Sequence, residues 1–309
     1  MTGTRAGWRD PGVLWMLASA AGFGAMAIFA KLAYSEGVTL PTLLTARFTL
    51  AAVLLWMILV ARRLPWRVPL RTMAGLLVMG GLGYVGQSFS YFTALQSIPA
   101  ATTGLLLYIY PALVTLLAVL VLKHPLTRGG GLALVLASLG CVLVLGGPSA
   151  LSGQATLEPV GVAWALAAAG IYSLYIIAGT RLITGIHPLV AATYIVSAGS
   201  LVYLISGLIG GTLSLDVSPG GWAAVVAIAL VCTVLPIAAF FAGLARLGPA
   251  RASILSTFEP VVTLGLAVLV LGERIELFQI LGGALILGGA LVVSRQNAGE
   301  RQGSAPASR

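Results

Sequence analysis

The sequence predicts an all-α integral membrane protein: ten transmembrane helices arranged as two inverted five-helix repeats. Three observations carry that reading. Of the 309 residues, 59% are hydrophobic and only 8% charged, with a mean hydropathy of +1.04, which is more apolar surface than a water-soluble fold can bury. Ten stretches each supply the roughly 20 mainly apolar residues that a helix needs to cross a bilayer core. The chain also aligns with itself, without gaps, at an offset of 149 residues. A β-barrel is excluded, because its strands would alternate in polarity over about ten residues, whereas a run such as Leu113 to Leu122 is continuously apolar.

Taken in order, the first span, Val13 to Tyr34, follows Arg5 and Arg9 but is too long for a signal peptide, and nine further spans come after it. The second, Pro41 to Ala61, carries Arg47, and the third, Met73 to Leu95, is rich in glycine and hydroxyl groups. The fourth, Ala100 to Leu122, contains Pro111 at its middle, and the fifth is Gly129 to Gly147. The polar stretch 151–158 is a short link outside the membrane. The sixth span, Pro159 to Thr180, opens with Trp164, and the seventh and eighth are Pro188 to Leu208 and Gly221 to Ala245. The ninth, Ala252 to Leu271, holds Glu259-Pro260, and the tenth, Leu277 to Ser294, is studded with glycines that permit close helix contact. Residues 295–309 read as a disordered cytoplasmic tail. Cys141 and Cys232 fall inside spans and act as small apolar residues.

The 149-residue offset places Gly12-Val13-Leu14-Trp15 on Gly161-Val162-Ala163-Trp164, Pro111 on Pro260 and Gly140 on Gly289. It also places Leu117 to Leu122 on the identical run Leu266 to Leu271. Residues 1–150 and 159–294 are therefore two copies of one five-span unit. With an odd number of spans per copy, the second copy enters the membrane from the opposite side. Such inverted pairs underlie alternating access, with solute bound near the midplane between the halves. The net charge of +9 does not signal nucleic acid, because its placement follows the membrane. Fourteen of the 17 basic residues lie on one side when both termini are cytoplasmic, and all but Lys31, Arg47 and Arg274 are so placed. The localisation that follows is a bacterial inner membrane.

Glu259 is the only acidic residue deep within a span. An intramembrane carboxylate that faces a cavity either binds a cationic group or exchanges a proton, the alternative being a local pairing with backbone groups freed by Pro260. Pro111 and Pro260 remove a backbone hydrogen bond at matched places in the two halves, and read as hinges. In span three Tyr84, Gln87, Ser88 and Tyr91 recur at helical spacing, as do Tyr172 and Tyr175 in span six. With Tyr108, Tyr110 and Ser256 these residues form the candidate cavity lining, since polar atoms turned to lipid go unsatisfied. Interhelical packing is the alternative for each one. Lys31 and Arg47 lie close enough to the outer surface to snorkel. Lys31 then serves as an anchor, and Arg47 pairs with Glu36 or attracts an anionic group in an outer vestibule. Trp15 and Trp164 sit where interfacial anchors belong. The glycines of Gly81 to Gly86 match a dinucleotide-binding pattern but lie within a span, and no catalytic or metal-binding motif is present. No cofactor is expected.

Three segments carry a resemblance. Ala46-Arg47-Phe48, Phe258-Glu259-Pro260-Val261 and Leu271-Gly272-Glu273 resemble the signature of the EamA family of the drug/metabolite transporter superfamily, with kinship running from Gly12 to Ser294. The first half departs from it, offering Tyr110-Pro111 and Lys123-His124. The resemblance implies a ten-span carrier that exports amino acids or similar metabolites, most like the aromatic-amino-acid exporter branch. On this reading the protein is a secondary exporter whose partners are a small-molecule substrate and the lipid bilayer, with a proton as candidate coupling ion. A passive channel or pore is the alternative, and it would need a continuous polar lining. An intramembrane enzyme is disfavoured, because no nucleophile with a base or metal-ligand set is visible.

Overall fold

The computed structural model describes residues 10–123, 125–146, 157–182 and 185–303, and among them every regular element is helical. We number the helical rods α1 (Pro11–Ser35), α2 (Leu40–Ala61), α3 (70–97), α4 (Ala100–Val121), α5 (Arg128–Val144), α6 (Pro159–Thr180), α7 (Pro188–Ile209), α8 (Pro219–Gly248), α9 (Arg251–Leu271) and α10 (Leu277–Gly303). Eight of these are long and apolar enough to cross a membrane. The two others differ from the sequence expectation for physical reasons. Helix α5 has only 17 residues. Helix α3 is long, but Gly80, Gly81, Gly83, Gly86, Gln87 and Ser88 dilute its apolar character. Helix α10 runs on past Ser294, where the tenth span was expected to end, as far as Gly303, through Gln296, Ala298, Glu300 and Arg301, which are good helix formers. The link 151–156 and His124 lie outside the described residues.

The prolines do more than bend their helices. Helix α4 stops at Leu107 and restarts at Tyr110 with Pro111 in its first turn. Helix α9 is broken after Ser256 and restarts at Glu259 with Pro260 likewise placed. A proline is at home in the first turn, where no partner for its missing N–H is needed. Helices α3 and α8 each contain a wide π-helical turn, Met79–Tyr84 and Leu230–Val234. These two turns overlap when one half is shifted by 149 residues onto the other.

Packing follows the same offset. Helix α1 packs on α8 as α3 packs on α6, while α2 pairs with α7 and α5 with α10. The agreement extends to single residues. Gly12 abuts Leu247 and Arg246, and Gly161, its counterpart, abuts Ile98 and Ser97, which are the counterparts of those two. Gly140 meets Gly282, and Gly289 meets Ala133, again an exchanged pair. A methyl group at Gly140 would lie 2.6 Å from the Gly282 carbonyl oxygen, so the α5/α10 contact depends on two bare backbones approaching closely. Contacts that map onto themselves when the halves are exchanged are those of an isologous, two-fold interface. The main core gathers around α2, with α1, α3, α7 and α8 packed against it and Phe48, Phe92 and Leu55 fully buried.

Candidate functional site

Glu259 opens the second segment of α9, in the first turn of a helix, where unpaired N–H groups favour negative charge. The Tyr108 hydroxyl approaches its Oε2 at 3.1 Å and donates to the Ser256 carbonyl at 2.8 Å. That carbonyl is one of those left without a helical partner by the break. The tyrosine therefore ties the two interrupted helices together, since it stands at the break in α4 and reaches the break in α9. Thr263 fastens the region to α1 by donating to the Gly24 carbonyl at 2.9 Å. At the exchanged contact between the halves Ser173 of α6 approaches the Tyr110 carbonyl at 3.3 Å, and Ser173 and Tyr110 are the counterparts of Gly24 and Glu259, which also meet.

From Tyr108 a continuous row of rings crosses the protein. Tyr108 meets Tyr110 (5.6 Å between centroids), Tyr110 meets Tyr172 (4.8 Å), Tyr172 stacks on Tyr175 (6.0 Å) and Tyr175 approaches Tyr84 (6.3 Å). Tyr84 then contacts Phe48 at 5.1 Å, which contacts Tyr203 at 5.1 Å. Five of the tyrosines expected to line a cavity thus form one ladder drawn from α3, α4 and α6. Tyr84, Tyr110, Tyr172 and Tyr175 are half-buried, and Tyr108 is buried. Tyr91 stands beside the ladder, buried against Phe92 and within electrostatic reach of both Glu259 and Arg47. Ser88 is buried and makes a long 3.4 Å contact with Gln87. Ser256 turns its own hydroxyl to the Ala252 carbonyl. Pro111 and Pro260 flank the ladder's Glu259 end, each one residue past its restart.

Arg47 corrects the sequence expectation. It neither snorkels nor pairs with Glu36, whose Oε2 instead accepts a 2.6 Å bond from Ser218. The Arg47 side chain is 1% exposed. Its Nε donates to Thr233 Oγ1 at 3.0 Å and its Nη2 to the Tyr84 hydroxyl at 3.3 Å. The guanidinium carbon lies 5.1 Å from the Phe48 ring and 5.0 Å from the Phe92 ring, so aromatic faces replace water around the cation. The reason is one of reach: Arg47 sits seven residues into α2, about 10 Å along the helix, and its side chain turns inward onto the π turns of α3 and α8. Its two hydrogen-bond partners, Tyr84 and Thr233, are counterparts at the 149-residue offset. That coincidence was in the sequence, but nothing there placed Arg47 between them. Lys31 lies near Glu273 and lines a hollow of about 320 Å³ with Tyr34, Thr39 and Gln96. Glu273 itself accepts bonds from the N–H groups of Ala100 (2.7 Å) and Ala101 (3.0 Å), capping α4.

The sequence profile of the EamA-like transporter family matches the chain twice, over residues 10–146 and 159–295. The chain belongs to the EamA-like transporter family. Both ends of the second family match are displaced by 149 residues from the first, the offset already seen in the sequence and in the packing. Among similar proteins, the uncharacterized transporter YyaM of Bacillus subtilis (strain 168) is 28% identical over 259 residues, covering 80% of this chain and 82% of the relative. The uncharacterized transporter YcbK of the same organism is 27% identical over 282 residues, covering 88% of each. An uncharacterized transporter of Archaeoglobus fulgidus is 28% identical over 228 residues, 74% of this chain and 78% of the relative. A solved crystal structure superposes with a TM-score of 0.63 at 23% identity, covering 96% of this EamA-like chain and all of the other, a likeness of fold. This is a multi-pass membrane protein of a transporter family.

Proposed function

We propose that the protein is a secondary transporter, not an enzyme, that exports amino acids or related small metabolites across a bacterial inner membrane by alternating access. Ten spans, α3 and α5 included, form two inverted five-helix halves with both termini cytoplasmic. The observation that carries this reading is the exchange symmetry of the packing, in which the α1/α8, α2/α7 and α5/α10 pairings and the glycine contacts at Gly12 and Gly140 recur with the partners' roles swapped. Two copies of an odd-span unit in one bilayer must point opposite ways, and a two-fold axis between them then lies in the membrane plane. Rocking one half against the other converts an outward opening into its inward mirror. The paired breaks at Tyr108-Ile109 and Thr257-Phe258 supply the hinges, because backbone groups already out of the helical ladder cost little to rotate. The tyrosine ladder supports a planar or apolar substrate body, which favours the aromatic-amino-acid branch. Glu259, held by Tyr108, is the candidate proton carrier.

The test is counterflow with the purified full chain in liposomes, using labelled L-phenylalanine, L-tyrosine and L-threonine. Saturable accumulation against an unlabelled internal pool supports a carrier, and linear, non-saturating flux would instead establish a pore. Glu259→Gln is expected to remove the pH dependence of net efflux while sparing exchange; an unchanged pH profile sinks the role given to Glu259.

A further inference from the structure

Arg47 is the one buried group whose hydrogen-bonding capacity the described residues leave open. A guanidinium has five N–H donors in a planar fork. Nε and Nη2 are engaged with Thr233 and Tyr84, yet Nη1, though shielded from solvent, has no acceptor. Thr233 is anchored where it stands, its hydroxyl donating to the Ile228 carbonyl at 2.9 Å while its oxygen accepts from Nε. The described partners are two neutral hydroxyls and two rings, so the positive charge is solvated by dipoles and π faces but not neutralised. An uncompensated cation inside a membrane bundle is costly and persists only where something else compensates it.

The position supplies a purpose. Tyr84 and Thr233 occupy equivalent places in the two halves, each in a π turn, and π turns recur at functional sites. Arg47 thus bridges the halves close to the axis that relates them, and it does so from the end of the tyrosine ladder opposite Glu259. The unpaired Nη1 side of the fork, with the second N–H of Nη2 beside it, matches the two oxygens of a carboxylate, which accepts parallel N–H bonds that a hydroxyl cannot.

The geometry points to Arg47 as a carboxylate-binding residue of the transport pathway, its Nη1 edge receiving the acid group of the solute while the ladder holds the solute's body. This rests on the transporter reading above and narrows it: the cargo carries a carboxylate. Substrate binding then completes the neutralisation of Arg47. Because the same guanidinium touches both halves, the bound acid sits where rocking exposes it to either side. Arg47 moves no proton; its work is recognition.

The experiment measures thermal stabilisation and equilibrium binding of the detergent-purified full chain with phenylacetate, L-phenylalanine, phenethylamine and sodium chloride as probes. The expected result is saturable binding of the two carboxylates and none of the amine. Arg47→Gln should weaken carboxylate binding at least about tenfold, the loss expected for a charged hydrogen bond. Arg47→Lys keeps the charge if the neutral variant does not fold, and should also weaken carboxylates because a point charge lacks the fork. The proposal is overturned if neither carboxylate binds, if both variants bind as the unsubstituted chain does, or if chloride at equal concentration stabilises as strongly, which would make the site a counter-ion pocket. Counterflow of L-phenylalanine in liposomes separates the two readings. Binding that needs Arg47 without counterflow leaves the anion site standing and removes transport. Counterflow indifferent to both variants does the reverse.

Discussion

Glu259 and Arg47 are opposite charges kept inside one apolar protein by different means. The glutamate begins a helix segment and has a tyrosine hydroxyl beside it, so its surroundings supply donors. The arginine has two acceptors and two ring faces, and keeps one nitrogen spare. Tyr108 is the residue on which the Glu259 arrangement turns, because its oxygen contacts both the carboxylate and the Ser256 carbonyl. Tyr108→Phe removes both contacts and takes the donor from a part-buried carbonyl. Thermal unfolding in detergent should report a loss of about 1–3 kcal/mol, and substrate counterflow should fall with it. Full stability and full counterflow in this variant would show that the breaks in α4 and α9 do not need the hydroxyl. Sequence alone pointed to Glu259, since a lone intramembrane acid is conspicuous. It could not point to Arg47's partners, because they are 37 and 186 residues away.

At the scale of elements, two kinds of contact hold the helices in place, and they predict different outcomes. Glu273, in the turn after α9, caps α4 through two backbone N–H groups, while Gln279 of α10 donates to Thr102 of α4 at 3.1 Å. Glu273→Ala should therefore lower stability by about 1–2 kcal/mol, read as a drop in thermal midpoint, because the start of α4 loses its acceptors. The α5/α10 interface relies on glycine. Gly140→Leu forces a branched side chain into the Gly282 backbone and Ile286 and should cost about 1–3 kcal/mol or prevent folding. Gly288, on the same helix α10 with open space at its Cβ position, provides the contrast. Gly288→Ala should be neutral or raise stability by about 0.5–1 kcal/mol through helix propensity. Equal damage from both changes would mean that glycine is kept in α10 for something other than backbone contact.

For the whole molecule the central matter is whether the halves are inverted. The exchanged contacts give a direct test. In a background with Cys141→Ala and Cys232→Ala, one pair of substitutions is Gly12→Cys with Arg246→Cys, and its counterpart is Gly161→Cys with Ser97→Cys. Cβ positions in these pairs approach to 3.1 and 2.9 Å, so small shifts bring them to the roughly 3.5–4.5 Å that a disulfide needs. Both bridges should form under oxidation. In intact spheroplasts, where cytoplasmic thiols would themselves reduce an inward-facing bridge, sidedness is read on the unbridged cysteines: a membrane-impermeant thiol reagent should label positions 97 and 161 and not 12 or 246, and labelling at 12 or 246 would rule out the proposed inversion. Each bridge ties the two halves together at one end of the bundle, so in purified protein each should also arrest counterflow until reduced.

Composition, apolar runs and the 149-residue offset are local or one-dimensional properties, and they sufficed for the helical membrane class, the duplication and the candidates Glu259, Pro111 and Pro260, while the family was legible only through the resemblance of three short segments. Burial of a lone acid and removal of a backbone donor by proline have consequences wherever the chain folds, which is why those residues were legible. The remainder depends on which helix faces which. That the prolines restart broken helices and do not merely bend whole ones, that α3 and α8 widen into π turns, and that separate tyrosines join into one ladder follow from packing between distant segments. The same is true of Arg47. Its distance from the surface suggested escape to water along its own helix, but the tertiary structure turned it inward, because two hydroxyls and two rings waited there at positions no local pattern brings together.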